Sequence, residues 1–245
     1  TRRPLTIPVS TIRKPTRLSA RVASTIDVQP EVTEVRNELR FLVEYAGTDT
    51  FHIAVPESAN DRVRIEVGEG SSVAIKQKTA AEPADGWVVW TIVMQREVLG
   101  TQVFNVSWHQ QSVAASPEDM DAASDTEGAA APESTTMPLV RPLGMLDDSG
   151  DVKTPLSKVY GEVAVTSDRS LSLTTTAAGA EIEPIDIREL QILPQVGTQA
   201  FRYFKLDATG TPTVSITQMR HEIQEVVATI VSRVLVEVVT DEDAE

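Results

Sequence analysis

The chain has 245 residues, of which 41% are hydrophobic and 24% charged, enough for one large or two small domains with a core of their own. Its 36 acidic side chains outnumber 22 basic ones, leaving a net charge of −14; such a surface repels phosphate backbones and anionic lipid and argues against general nucleic-acid binding. The apolar runs fall far short of the roughly 18 to 20 residues of a membrane-spanning helix. Without cysteine there can be no disulfide, thiolate metal site, iron–sulfur cluster or cysteine nucleophile.

Residues 1–15 read as an extended lead-in. The first 26 residues hold six basic side chains (Arg2, Arg3, Arg13, Lys14, Arg17 and Arg21) and no acid, a composition shared with transit peptides. Pro4, Pro8 and Pro15 interrupt the amphipathic helix a transit peptide requires and favour extended backbone. The start at Thr1 and the acidic finish from Asp241 to Glu245 suggest a piece of a longer protein, with processing as the rival explanation.

Residues 16–110 carry the period-two alternation of strands and predict a β-sandwich module. Leu18, Ala20, Val22, Ser24, Ile26 and Val28 alternate, and so do Leu39, Phe41, Val43 and Tyr45. Ala46-Gly47-Thr48-Asp49 has turn chemistry, and the next alternating run, Phe51, Ile53 and Val55, ends at Pro56; together these predict a hairpin. Further strands are expected at Val63–Val67, Val73–Ile75, Trp87–Met94 and Val103–Trp108.

Between residues 111 and 137 Ala, Ser, Thr and Pro dominate, with Glu118, Asp119, Asp121, Asp125, Glu127 and Glu133 and no basic residue. Such a stretch buries too little to offset chain entropy, so an acidic linker is expected. Its carboxylates lack calcium-loop spacing and the required glycine.

Residues 138–245 predict a second β module, with strands at Val159–Thr166, Leu171–Thr175, Ile182–Ile187, Phe201–Leu206 and Thr213–Thr217. From His221 to Thr240, Ile223, Val226, Val227, Ile230, Val231, Val234 and Leu235 have helical spacing, yet the density of β-branched residues favours a strand. Ala228–Val236 also aligns with Ala20–Val28 in the same alternating phase. The tail is therefore read as a long C-terminal strand, with 219–245 a candidate opening of a further repeat; helix is the alternative.

The stretch Asn37–Pro56, NELRFLVEYAGTDTFHIAVP, together with AFRYFKL at Ala200–Leu206 and the valine-rich strand after it, resembles the repeating β-sandwich regions of large uncharacterised bacterial envelope proteins. That resemblance implies an extracytoplasmic, cell-envelope scaffold or interaction region. It transfers no site residues to this chain.

Local chemical motifs are sparse. His52, His109 and His221 are far apart and form no HExxH or HxH spacing, so each is expected to be a solvated or capped histidine. No GxSxG elbow or SxxK occurs, and Gly68-Glu69-Gly70 is a bare GxG suited to a turn. Asp147, Ser149 and Asp151 offer alternating oxygens, but the glycine at 150 is misplaced for an EF-hand and turn chemistry is favoured. Trp87, Trp90 and Trp108 could stack on sugars, although Trp87 and Trp90, three apart in a strand, should point to opposite faces. Asn105-Val106-Ser107 is a formal glycosylation sequon inside a predicted strand.

The expectation is an all-β chain of two sandwich-like modules joined by an acidic linker, without catalytic residues, cofactor or metal. It would serve as a non-catalytic structural or interaction module binding protein partners or neighbouring modules. A carbohydrate- or protein-binding adhesin module is the alternative, and an enzyme whose site assembles only in space is a third. No ligand-binding residue is assigned.

Overall fold

A computed structural model describes residues 14–71, 73–111, 133–147, 149–168, 171–178, 182–204 and 213–220. The protein is all-β. Among these residues the helical segments are short 3₁₀ turns at Glu57–Arg62 and Ile187–Glu189, and no helix is long and apolar enough to cross a membrane.

The first strand, β1 (Arg17–Val28), buries Leu18, Ala20, Val22, Ile26 and Val28 on one face and turns its charged and polar residues to the other, as period-two alternation dictates. It pairs antiparallel with β2 (Val32–Pro56), which pairs antiparallel with β5 (Trp87–Gln111). β3 (Arg64–Val67) and β4 (Ile75–Ala80) pair with opposite halves of β5. Ser24 and Asn37 interrupt the apolar face, and they satisfy each other there. The Ser24 hydroxyl donates to Asn37 Oδ1 at 2.7 Å, and Asn37 Nδ2 donates to the Val106 carbonyl at 3.2 Å, leaving neither orphaned in the core.

The expected hairpin at Ala46–Asp49 does not form. The chain continues through it as one 25-residue strand, and the two strands expected at Trp87–Met94 and Val103–Trp108 likewise merge into β5. The turn residues form an irregularity instead. Between Val43 and Thr48, five steps of β2 face two of β5, and between Thr48 and Thr50, two steps of β2 face five of β5. Tyr45 at φ 70° and Gly100 at φ 97° sit in this kink. Bulges of this kind bend a strand pair without ending it. Phe41 and Phe51, from the two halves of β2, and Phe104 from β5 close over the bend, with ring centroids 5.2 to 5.9 Å apart.

After residue 132 come β6 (Glu133–Pro138), β7 (Arg141–Leu143), β8 (Met145–Leu146), β9 (Val152–Thr154), β10 (Val159–Ser167), β11 (Leu171–Ala178), β12 (Ile182–Ile185), β13 (Gln199–Tyr203) and β14 (Thr213–Arg220). The C-terminal part of the expected linker is therefore a strand. Glu133–Pro138 pairs with β14 and buries Met137, an assignment its single large apolar residue could not announce. β10, β11 and β14 cover the strands expected in this half; β12 stops at Ile185, because Ile187 opens a 3₁₀ turn, and β13 ends at Tyr203, residues 205 and 206 lying outside the described residues. The segments 1–13, 112–132 and 221–245, and with them most of the lead-in, the linker's middle and the ambiguous tail, lie outside the described residues.

The two-module division is not confirmed by the hydrogen bonding. β10 pairs parallel to β1, from Ala20 opposite Val159 to Val28 opposite Ser167, so a single nine-stranded sheet runs β12-β13-β10-β1-β2-β5-β3, with β4 and β7 joined to it. A second sheet, β11-β14-β6, sets Leu171, Val214, Ile216 and Met137 into the same core as Leu18, Phe41, Val106 and Tyr203. Gly161 of β10 makes room for that tyrosine, since a Cβ there would lie 1.9 Å from its ring.

Candidate functional site

The face of the large sheet turned away from the core carries the polar half of each alternating strand. Register arranges these side chains in rows across β1, β2, β5 and β3. Arg21 stands opposite Arg40; Ala23 lines up with Glu38, Asn105 and Glu66; Thr25 with Arg36, Ser107 and Arg64; and Asp27 with Glu34 and His109. The rows are basic, acidic, basic and acidic in turn. Two residues along a strand separate them, about 6.6 Å. Within the strands, charges two apart pair along the surface: Arg36 with Glu34 at 2.6 Å, Arg40 with Glu38 at 2.9 Å and Arg64 with Glu66 at 2.8 Å. The hydrogen bond from Arg36 to Glu34 raises the guanidinium above its ordinary value, against a smaller effect of burial.

The loop after β12 roofs the β10 and β13 side of this face. Leu190 packs on Ala164 and Ala200 with Ile185, Ile187 and Leu193 around them, a small second apolar cluster. The loop is fastened from below by Glu162, whose side chain is 0% exposed. Its carboxylate accepts the backbone N–H groups of Gln191, Ile192 and Leu193 at 2.9 to 3.2 Å and the Tyr160 hydroxyl at 2.5 Å. Burial opposes the charge on Glu162, but the bonds from Tyr160 and the three amides prevail and hold its pKa below the ordinary value. The same contact acts in reverse on Tyr160: burial and the neighbouring carboxylate push its hydroxyl up to about 12.

Where the loop stops, the face is open. Ile192, Leu193 and Pro194 form a wall beside a recess of about 370 Å³ whose floor includes Thr25, Arg36, Glu38, Asn105 and Ser107. A second recess, of about 180 Å³, continues past Ile192 over Ala23, Glu38, Arg21 and Arg40. The two recesses share Ala23, Glu38 and Ile192 and lie end to end along the strands as a charged trough. Beyond it the next row holds Leu42, 42% exposed.

None of the sequence motifs marks this place. His52 does point opposite Phe51 and Ile53, but it is only 9% exposed rather than solvated, accepts or donates a 3.3 Å bond at Thr91 and has its pKa lowered by burial. His109 lies near the far end of β5, opposite Glu34, so these two histidines do not meet; His221 lies outside the described residues. Trp108 is 3% exposed and belongs to the core, while Trp90 donates its indole N–H to Asn60 Oδ1 at 3.1 Å and packs against that core. Trp87 stacks near the Arg141 guanidinium at 5.1 Å. Among the described residues no ring contact joins the three tryptophans. Asp147 caps a turn, its Oδ1 accepting the N–H groups of Ser149 and Asp151 at 2.9 and 3.0 Å, and Gly150 at φ 87° completes it. Among the described residues no three metal-binding side chains converge. The sequence signal that could have located the trough is the alternation Glu34, Arg36, Glu38, Arg40 on one face of β2.

No family model matches the chain, and no curated protein sequence matches it. Among solved structures it is similar to native leukotriene A4 hydrolase from Saccharomyces cerevisiae, at 10% identity and a TM-score of 0.38. The alignment covers 82% of this chain and 29% of that one, so the chain spans less than a third of that neighbour's length. A likeness of this size says nothing of what the chain does.

Proposed function

We propose that the chain is a non-catalytic interaction module that holds an extended polypeptide segment, carrying charges at alternate positions, in the trough on the outer face of its large sheet. The observation behind this reading is the row pattern of arginine and glutamate. An extended segment lying along the strands repeats its side chains with the same two-residue spacing as the rows, so a segment reading acid, neutral, base, neutral meets an opposite charge at every row. The exposed arginine–glutamate pairs already present are each worth little, about 0 to 1 kcal/mol, and can yield to a partner that supplies both signs. Leu42 and the Ile192–Pro194 wall add apolar contact at the margins.

A capped synthetic peptide of repeating Thr-Glu-Thr-Lys units provides the test, read by fluorescence anisotropy. Saturable binding is expected, weaker for a peptide of the same composition with glutamate and lysine adjacent, and weaker again with Arg36→Glu. Equal binding of the two peptides, or none by either, would count against the trough.

A further inference from the structure

The end of the trough has a feature that pairing within the sheet does not explain. Arg21 and Arg40 stand directly opposite each other on β1 and β2 and line the same 180 Å³ recess. Like charges at opposed positions of neighbouring strands repel. Arg40 is relieved by Glu38 at 2.9 Å, whereas among the described residues Arg21 takes part in none of the ion pairs. Along its own strand the side chains two away are Ser19 and Ala23, which cannot neutralise it. Tyr160 flanks it in the adjoining strand, held by its bond to Glu162.

We infer that this recess is a socket for a carboxylate, an aspartate or glutamate side chain of the bound segment, gripped between Arg21 and Arg40. The inference rests on the reading of the trough as a peptide-binding face. Charge decides for a carboxylate over a phosphate group. Two arginines and Glu38 together carry a single net positive charge, which a monoanion neutralises. A dianionic phosphomonoester would leave an excess negative charge against Glu38, which lines the same cavity. The guanidinium forks suit the planar, two-oxygen acceptor, and Ile192 at the rim shields the contact from water on one side.

Three peptides tested against the full chain separate the possibilities: the Thr-Glu-Thr-Lys repeat, the same repeat with glutamine for glutamate, and the same repeat with phosphoserine for glutamate. The socket predicts that the glutamate peptide binds most tightly, that the glutamine peptide binds more weakly, and that Arg21→Gln narrows the difference between them about fivefold, the share of one exposed ion pair, while the row of Arg36 keeps the rest. Arg21 is solvent-exposed, so this variant should fold, and unchanged far-ultraviolet circular dichroism would show it. Undiminished discrimination in Arg21→Gln, or tighter binding of the phosphoserine peptide, overturns the carboxylate socket while leaving the trough in place. If no peptide binds, the peptide-binding reading fails. Sodium acetate then tests the socket alone: saturable shifts of the Arg21 and Arg40 Nε–H resonances in the wild type, lost in Arg21→Gln, would uphold it, and their absence would overturn it as well.

Discussion

Glu162 shows how a single residue can set the shape of a surface. A carboxylate with 0% exposure is ordinarily costly, but here its oxygens receive three backbone N–H groups and a phenol, and the loop bearing Ile192–Pro194 has its place because of it. Glu162→Gln keeps the size and loses the charge, and its amide group turns donors toward donors. A loss of about 3 kcal/mol is expected from urea unfolding, the scale of charge-assisted bonds left unmade. The pH dependence has a definite sign. Since the folded state holds this carboxyl below its ordinary value of 4.5, its contribution is complete above that value and disappears as the pH falls through the lower, folded one. The wild type should therefore lose stability more steeply than Glu162→Gln as the pH falls below 4.5. Parallel acid limbs for the two proteins would refute the assignment. Nothing in the sequence singles out this glutamate among so many acids; the three amides come from a loop 29 to 31 positions away.

At the scale of elements, strand positions are legible and strand continuity is not. The alternation of Phe41, Val43, Phe51, Ile53 and Val55 locates both halves of β2, but Ala46-Gly47-Thr48-Asp49 reads as a hairpin because bulges and turns draw on the same small and polar residues. Only the presence of β5 along both halves makes it a bend. The three phenylalanines, packed tilted and edge-to-face, hold that bend closed, so Phe51→Ala should cost about 3 to 5 kcal/mol, as for other buried aromatic truncations. Denaturant unfolding followed by circular dichroism measures it. A loss under 1 kcal/mol would show that the kink is held by its backbone pairing rather than by the rings. β6 was missed for the opposite reason: Glu133-Ser134-Thr135-Thr136 has the composition of a solvated spacer and becomes a strand because β14 offers it a ladder.

For the whole molecule, the parallel pairing of β1 with β10 matters most. It ties together segments that are separated by the acidic stretch, and the core runs without a break from Leu18 to Ile216. Two independent modules would unfold in two steps. One continuous sheet and core should unfold in one, so tryptophan fluorescence, reporting on Trp87, Trp90 and Trp108 of β5, and far-ultraviolet circular dichroism, reporting on all strands, are expected to give coincident urea transitions. A fluorescence transition clearly separated from the circular-dichroism transition would restore the division into modules.

Sequence by itself determined the fold class, the place of most strands and the face each one buries, because period-two alternation is a local property that every strand carries within itself. It also determined the alternating charges of β2. Which strands lie side by side, that β2 and β5 are single bent strands, that Glu162 anchors a distant loop and that Arg21 meets Arg40 were decided only by the tertiary structure. These facts depend on register between segments far apart in the chain, and a shift of one residue in that register would turn every one of those side chains to the other face.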